Sequence, residues 1–231
     1  MSGYISAYQT IFIHVPKTAG TSIERLPWIR SSGHDPIWTF SKDLRDTSFK
    51  CAFTREPHHR FMSAATAGFL VDGNPPFAKQ SDIPPFAVMR DKITDIIKGI
   101  YDDNQGRELQ PEYIFQRNGR GHPDPMPHFV GWSYRVHYFP QWFFLTDKNG
   151  DIGVDLLGRY ETLESSWKRI CSRMGAIYQP LPHLRNAQIH RPSLEYFYTP
   201  ETWDMITTLY QTDFDLFNYA IYGLEELNEI T

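Results

Sequence analysis

Residues 11–23 read IFIHVPKTAGTSI. Thr10 to Val15 is apolar and β-branched and stops at Pro16, which predicts a buried strand. Lys17 to Ser22 follows as a loop with one lysine, one glycine and three hydroxyls, those of Thr18, Thr21 and Ser22. Thr21 to about Leu26 then opens a helix that Pro27 closes. A strand that turns through a short polar loop into a helix presents backbone N–H groups and the positive end of the helix dipole, and both favour an anion. Gly20 lets the backbone come close to such a ligand, and Lys17 adds a point charge. In the GxxxxGK[ST] loop the lysine closes the segment, whereas here it opens it. That order disfavours a nucleoside triphosphatase with a Walker loop. The competing reading is a plain strand–turn–helix with an exposed lysine.

The next informative stretch is Phe53 to Ala65, FTREPHHRFMSAA. Phe49 to Thr54 reads as a second strand, and Pro57 suits the first turn of a helix carrying Phe61, Ala64, Ala65 and Phe69 at helical spacing. Arg55 therefore stands at the C-terminal end of a strand, where α/β proteins bind ligands. Its guanidinium offers a fork of donors to phosphate, and the Ser63 hydroxyl offers one more. Read alone, Arg55 or Arg60 would simply pair with Glu56. His58 and His59 read as surface residues of the helix.

Further along, Pro36 to Phe40 reads as a strand, and Phe86 to Tyr101 as an amphipathic helix. Trp142 to Thr146 and Gly153 to Tyr160 read as a hairpin around an Asn-Gly turn. Glu161 to Met174 is helical, with Leu163, Trp167, Ile170 and Met174 on one face. Pro200 to Tyr219 reads as one long helix with Thr199 as its N-cap. Strands that alternate with helices predict an α/β fold with a central parallel sheet flanked by helices. The expected organisation is a single domain over 1–231, in which 66–136 is a helical and loop insertion on the substrate side.

Composition narrows the function classes. The chain has 231 residues, 41% hydrophobic and 15% aromatic, which is enough for a packed core and unlike a disordered chain. Net charge is −4, so there is no global basic field for nucleic acid. No apolar run approaches the ~18 residues of a membrane span. The N-terminus lacks the basic and apolar regions of a secretory signal. Cys51 and Cys171 read as reduced packing thiols, so a cytoplasmic location is expected. No HExxH or CxxC suggests a metal site, and no GxSxG suggests a serine hydrolase.

Taken together, Pro16-Lys17-Thr18-Ala19-Gly20-Thr21-Ser22 and Arg55-Glu56-Pro57-His58-His59-Arg60-Phe61-Met62-Ser63 resemble the two linked motifs of the PAPS-dependent sulfotransferases. The likeness is to the carbohydrate O-sulfotransferase branch, including the heparan sulfate 2-O- and 6-O-enzymes. Weaker likenesses are His137-Tyr138-Phe139-Pro140-Gln141, Gly158-Arg159-Tyr160-Glu161-Thr162-Leu163, and Tyr210 to Tyr219. The resemblance implies a P-loop-like three-layer fold. It implies 3′-phosphoadenosine 5′-phosphosulfate (PAPS) as co-substrate, no metal, and a hydroxyl-bearing acceptor such as a sugar or glycoconjugate. It implies that Lys17 stabilises the leaving group, that Thr18, Ala19, Gly20, Thr21 and Ser22 cradle the 5′-phosphate, and that Arg55 and Ser63 hold the 3′-phosphate. A general base is required. His34 stands where several family members place one, and His137 and Glu24 are the alternatives. Among His183, Arg185, Asn186, His190 and Arg191, Arg191 is the candidate late contact to the nucleotide. A kinase-like phosphotransferase and a non-catalytic nucleotide-binding domain are the competing functions.

Overall fold

The computed structural model of the chain describes residues 3–27, 29, 33–71, 85–110, 136–182 and 192–226. Its strands are β1 (Gly3–Ile5), β2 (Thr10–Ile13), β3 (Phe49–Thr54) and β4 (Leu156–Arg159). Its helices are α1 (Gly20–Ile23), α2 (Lys42–Thr47), α3 (Pro57–Val71), α4 (Phe86–Asp103), α5 (Gln141–Leu145), α6 (Leu163–Met174), α7 (Leu194–Phe197), α8 (Pro200–Leu209) and α9 (Gln211–Leu216). The contacts divide into two compact units, one of 1–56 with 141–188 and one of 57–140 with 189–231.

The first unit holds the sheet, in the order β1-β2-β3-β4. Strands β2, β3 and β4 are parallel, with Phe12 beside Cys51 and Phe53 beside Gly158. The edge strand β1 departs from the expected parallel sheet, because it returns antiparallel on β2 through a tight 3-10 turn at Ser6–Tyr8. The α/β expectation holds: a mostly parallel sheet with flanking helices. All four residues of β2 are buried, as expected of a strand covered on both faces. Phe12, Cys51 and Phe53 join Ile23 and Leu26 and the Trp167, Ile170, Cys171 and Met174 face of α6 in one core cluster. Gly158 is required there, since a Cβ would lie 2.6 Å from the Phe53 ring. Both cysteines are buried thiols, and burial pushes the Cys171 thiol up to about 11.

Two expected strands are absent. Ile37–Thr39 is a 3-10 turn, because the Thr39 backbone N–H and hydroxyl both donate to the Pro36 carbonyl. The expected hairpin at 142–160 is a helix, a turn and a strand. Gln141–Leu145 coils into α5, since a short apolar run suits either a helix or a strand. The turn itself is real. The Asp147 carboxylate accepts from the Asn149 and Asp151 N–H groups, and Thr146 and Ile152 form an isolated antiparallel bridge. Beyond it the chain enters β4 and pairs with β3.

The second unit is helical. α4 buries Met89, Ile93, Ile96, Ile97 and Ile100 and packs against α8. α8 opens as its sequence predicts, with Pro200 in its first turn and a reciprocal Thr199–Thr202 capping box. The expected single helix of 200–219 breaks at Tyr210. The Leu209 carbonyl accepts from the Leu109 N–H, and the Thr212 N–H donates to the Glu108 carboxylate. Thr207 and Thr208 also return their hydroxyls to carbonyls four residues back, which bends helices. Arg60 is fully buried and donates to the carbonyls of His137 and Phe139.

Among the described residues, no helix is long and apolar enough to cross a membrane, and no group of three His, Cys, Asp or Glu residues is arranged to hold a metal ion.

Candidate functional site

β2 delivers the chain into a loop of unusual backbone. Lys17 has φ +68° and Ala19 has φ +76°. L residues are rare in this left-handed region, and such strain collects at functional sites. Ala19 precedes the right-handed turn of α1, and its carbonyl accepts from the Ser22 and Ile23 N–H groups. A left-handed residue followed by right-handed ones turns successive N–H groups to one side, a concavity suited to anions. The Thr18 side chain points inward, its hydroxyl donating to the Val15 carbonyl at 2.9 Å. Thr21 is exposed and Ser22 half-buried. The helix expected to reach Leu26 is one turn long, so loop backbone and side-chain charge matter more here than a helix dipole.

His14, to which the sequence alone gives no role, lies under this loop. Its ring rests on Gly20: a Cβ there would come within 2.0 Å of both Cδ2 and Nε2. Gly20 is thus needed for the imidazole. His14 is 6% exposed, and its Nδ1 lies 2.7 Å from Glu24 Oε1. His34 joins them. Its Nδ1 is 2.9 Å from the His14 carbonyl oxygen, and the two rings meet edge-on at 4.3 Å. A carbonyl can only accept, so His34 Nδ1 carries the proton and Nε2 the basic lone pair. Burial and then the neighbouring His14 lower the His34 pKa from 6.5 to about 4, against the backbone hydrogen bond and the Glu24 charge, which raise it. The sequence alone suggests a value near 6.5.

Arg55 follows the last residue of β3, and distant side chains fix its backbone. Gln141, 0% exposed, accepts from the Arg55 N–H and donates to the Arg55 carbonyl, each at 2.9 Å. The Glu161 carboxylate accepts from the Glu56 N–H at 2.7 Å. The guanidinium lies 4.0 Å over the Tyr160 ring, and Nη1 reaches the Lys17 carbonyl at 3.4 Å. Gln141, Tyr160 and Glu161 lie in stretches the sequence singles out by resemblance but leaves without a role. The available signal was a lone polar residue in an apolar run, as with His14 in IFIHV and Gln141 in PQWFFL.

The structure brings Lys17, the loop residues, Glu24, His34 and Arg55 together in the first unit. Ser63 is half-buried on α3 and His137 lies in the 3-10 turn Val136–Tyr138, both in the second unit. His58 is not a surface residue: it is 1% exposed and stacks on Trp203 at 3.5 Å. Arg191, with His183, Arg185, Asn186 and His190, lies outside the described residues.

Comparison with curated proteins and with solved structures finds no match in either set. A family model, the Sulfotransferase family, matches residues 5–220. That span contains the strained lysine loop, the Arg55 clamp and the segments that supply Gln141 and Glu161, and the chain belongs to the sulfotransferase family.

Proposed function

We propose that this sulfotransferase moves a sulfuryl group from PAPS to a hydroxyl of a carbohydrate or glycoconjugate, with His34 as the general base. The observation that carries the reading is the meeting of the two cationic segments, where Arg55 Nη1 donates to the Lys17 carbonyl. The donor set there is an ammonium, a guanidinium and the hydroxyls of Thr21 and Ser22, chemistry suited to a ligand with several anionic groups. Glu24, the acidic residue nearest the lysine loop in sequence, is engaged with His14. PAPS would supply a sulfuryl group on the oxygen bridging to its 5′-phosphate, and a 3′-phosphate as a handle.

In this reading Lys17 neutralises charge on the bridging oxygen as its bond to sulfur breaks, and the backbone and hydroxyls of Thr18 to Ser22 hold the 5′-phosphate. His34 Nε2 takes the acceptor's proton as the new oxygen–sulfur bond forms. The products are the sulfated acceptor, adenosine 3′,5′-bisphosphate and an imidazolium that releases its proton to solvent. Arg55 binds the 3′-phosphate. Ser63 as a second donor to that phosphate, Arg191, and His137 as the alternative base rest on the sequence resemblance. The carbohydrate acceptor rests on the same resemblance. A reducing, cytoplasmic setting suits two buried thiols.

Calorimetric titration separates this from a kinase-like reading. Adenosine 3′,5′-bisphosphate should bind at micromolar concentrations whether or not Mg²⁺ is present, and ATP more weakly. Lys17→Ala should cut turnover about 10²–10³-fold while weakening bisphosphate binding far less. Tighter binding of ATP with Mg²⁺, or near-normal turnover of Lys17→Ala, would overturn the reading.

A further inference from the structure

Three side chains around the lysine loop form a chain of contacts that the assigned reaction does not by itself explain. Glu24, one residue past α1, holds His14 Nδ1 at 2.7 Å. The His14 ring fills the space over Gly20, a position where no larger residue fits. The carbonyl of His14 then holds His34 Nδ1 at 2.9 Å while its ring meets the His34 ring edge-on. β2, α1 and the segment after Gly33 are thus tied together by two imidazoles and a carboxylate, just below the backbone that carries Lys17.

Resting on the assignment of His34 as base, we propose that Glu24 and His14 are positioning residues that hold His34 in its Nδ1–H tautomer and set its basicity. A histidine side chain free in water favours the Nε2–H tautomer, whose lone pair is on Nδ1. The backbone carbonyl of His14 reverses that choice and leaves Nε2 as the base. Orienting an imidazole through the hydrogen bond at its other nitrogen is a general device of catalytic and metal-bound histidines. Here the orienting group is a carbonyl next to a ring that a carboxylate holds in turn. Glu24 therefore acts at one remove, through His14.

The electrostatics give the two positioning residues opposite signs. His14 opposes a proton on His34 and Glu24 favours one, and the chain's amino-terminal charge adds a smaller opposing effect. Burial, the largest influence, acts whichever of these is changed. His14 therefore adds to burial in disfavouring a proton on His34, and the Glu24 carboxylate works against both, so that the imidazole does not become too weak a base to take a proton.

The test uses two variants that keep the packing. His14→Phe retains a ring over Gly20 and the backbone carbonyl. Glu24→Gln retains an acceptor for His14 Nδ1–H and removes the charge. Nitrogen-15 spectra of the imidazoles, recorded on the nucleotide-free protein, should show His34 in the Nδ1–H tautomer at neutral pH. Its titration midpoint should rise toward 6.5 in His14→Phe and fall in Glu24→Gln. The acid limb of kcat should move in the same directions. Glu24→Gln should lose turnover about tenfold or more, within the range of general-base effects, with bisphosphate affinity changed less than twofold. Glu24→Asp should restore part of the turnover. An Nε2–H tautomer in the wild type, or two variants that leave the midpoint and the acid limb where they were, would overturn the proposal. The spectra need no donor or acceptor, so wild-type protein that shows the tautomer and the opposite shifts but does not turn over PAPS would refute the sulfuryl-transfer assignment instead.

Discussion

The lysine loop and the end of β3 meet where Arg55 Nη1 reaches the Lys17 carbonyl, and their backbones are held by opposite means. Around Lys17 the backbone is held from within: Ala19 accepts from its own following residues, and two left-handed L residues make the turn. At Arg55 the backbone is held from outside. A buried glutamine 86 residues away bonds both its N–H and its carbonyl, a tyrosine lies under the guanidinium, and a glutamate takes the next N–H. Gln141 does for the strand end what a neighbouring strand would have done, because β4 ends at Arg159, which is paired with Thr54. The loop stores strain and keeps its shape through short-range bonds. The strand end stores none and depends on long-range ones. Changes to what holds the backbone should therefore fail differently, the strand end mainly in stability and the loop mainly in ligand affinity.

The largest effect expected on the Arg55 side is on binding. Arg55→Ala removes the charge-assisted hydrogen bonds proposed for a 3′-phosphate, worth about 1.5–3 kcal/mol, or roughly tenfold to 150-fold in affinity. Titration should show adenosine 3′,5′-bisphosphate falling to the affinity of AMP while AMP itself changes little. If both nucleotides weaken equally, Arg55 does not read the 3′-phosphate. Gln141→Ala should act next, and on stability first. It takes two partners from the Arg55 backbone and opens a buried gap, which costs about 1–3 kcal/mol and several degrees in Tm. Gln141→Glu keeps the acceptor and loses the donor, so it should fall between. A Gln141→Ala protein with unchanged Tm and weakened nucleotide binding would mean that the clamp shapes the site without supporting the fold.

The contrast also governs what the sequence makes legible. Self-contained features read directly: the β-branched run of β2, the apolar face of α6, the Thr199-Pro200 start of α8, and the lysine loop. Features set by a distant partner do not. The last helix breaks because Glu108 and Leu109 come to its middle, about a hundred residues back along the chain. Gln141–Leu145 coils although every residue after the glutamine would suit a strand. His14 and Gln141 read as incidental polar residues in apolar runs, and their meaning lies in Glu24, His34 and Arg55. The order of motifs singles out His34 as a candidate, but what holds it in place is the His14 carbonyl, since the strand expected to begin near Pro36 does not form.

The smallest predicted effect tests the strain directly. Ala19 sits at φ +76° with a Cβ, a conformation that costs an L residue about 1–2 kcal/mol. Glycine adopts it without that cost, but a glycine also gives the unfolded chain about 0.4–1 kcal/mol more entropy to lose. The first quantity is the larger, so Ala19→Gly should raise stability slightly, by about 1 kcal/mol or less. Glycine also opens a wider range of backbone shapes to the folded loop, and bisphosphate affinity should fall about twofold to fivefold, an entropic loss of up to about 1 kcal/mol. Thermal unfolding and titration of the same sample read the two changes together. A small gain in Tm with a small loss in affinity means that the strain serves to fix the loop for its ligand. A loss in Tm with unchanged affinity would mean that Ala19 is held by its surroundings and that the left-handed turn contributes nothing to binding. The loop would then resemble the Arg55 clamp after all, and the distinction between the two regions would fall.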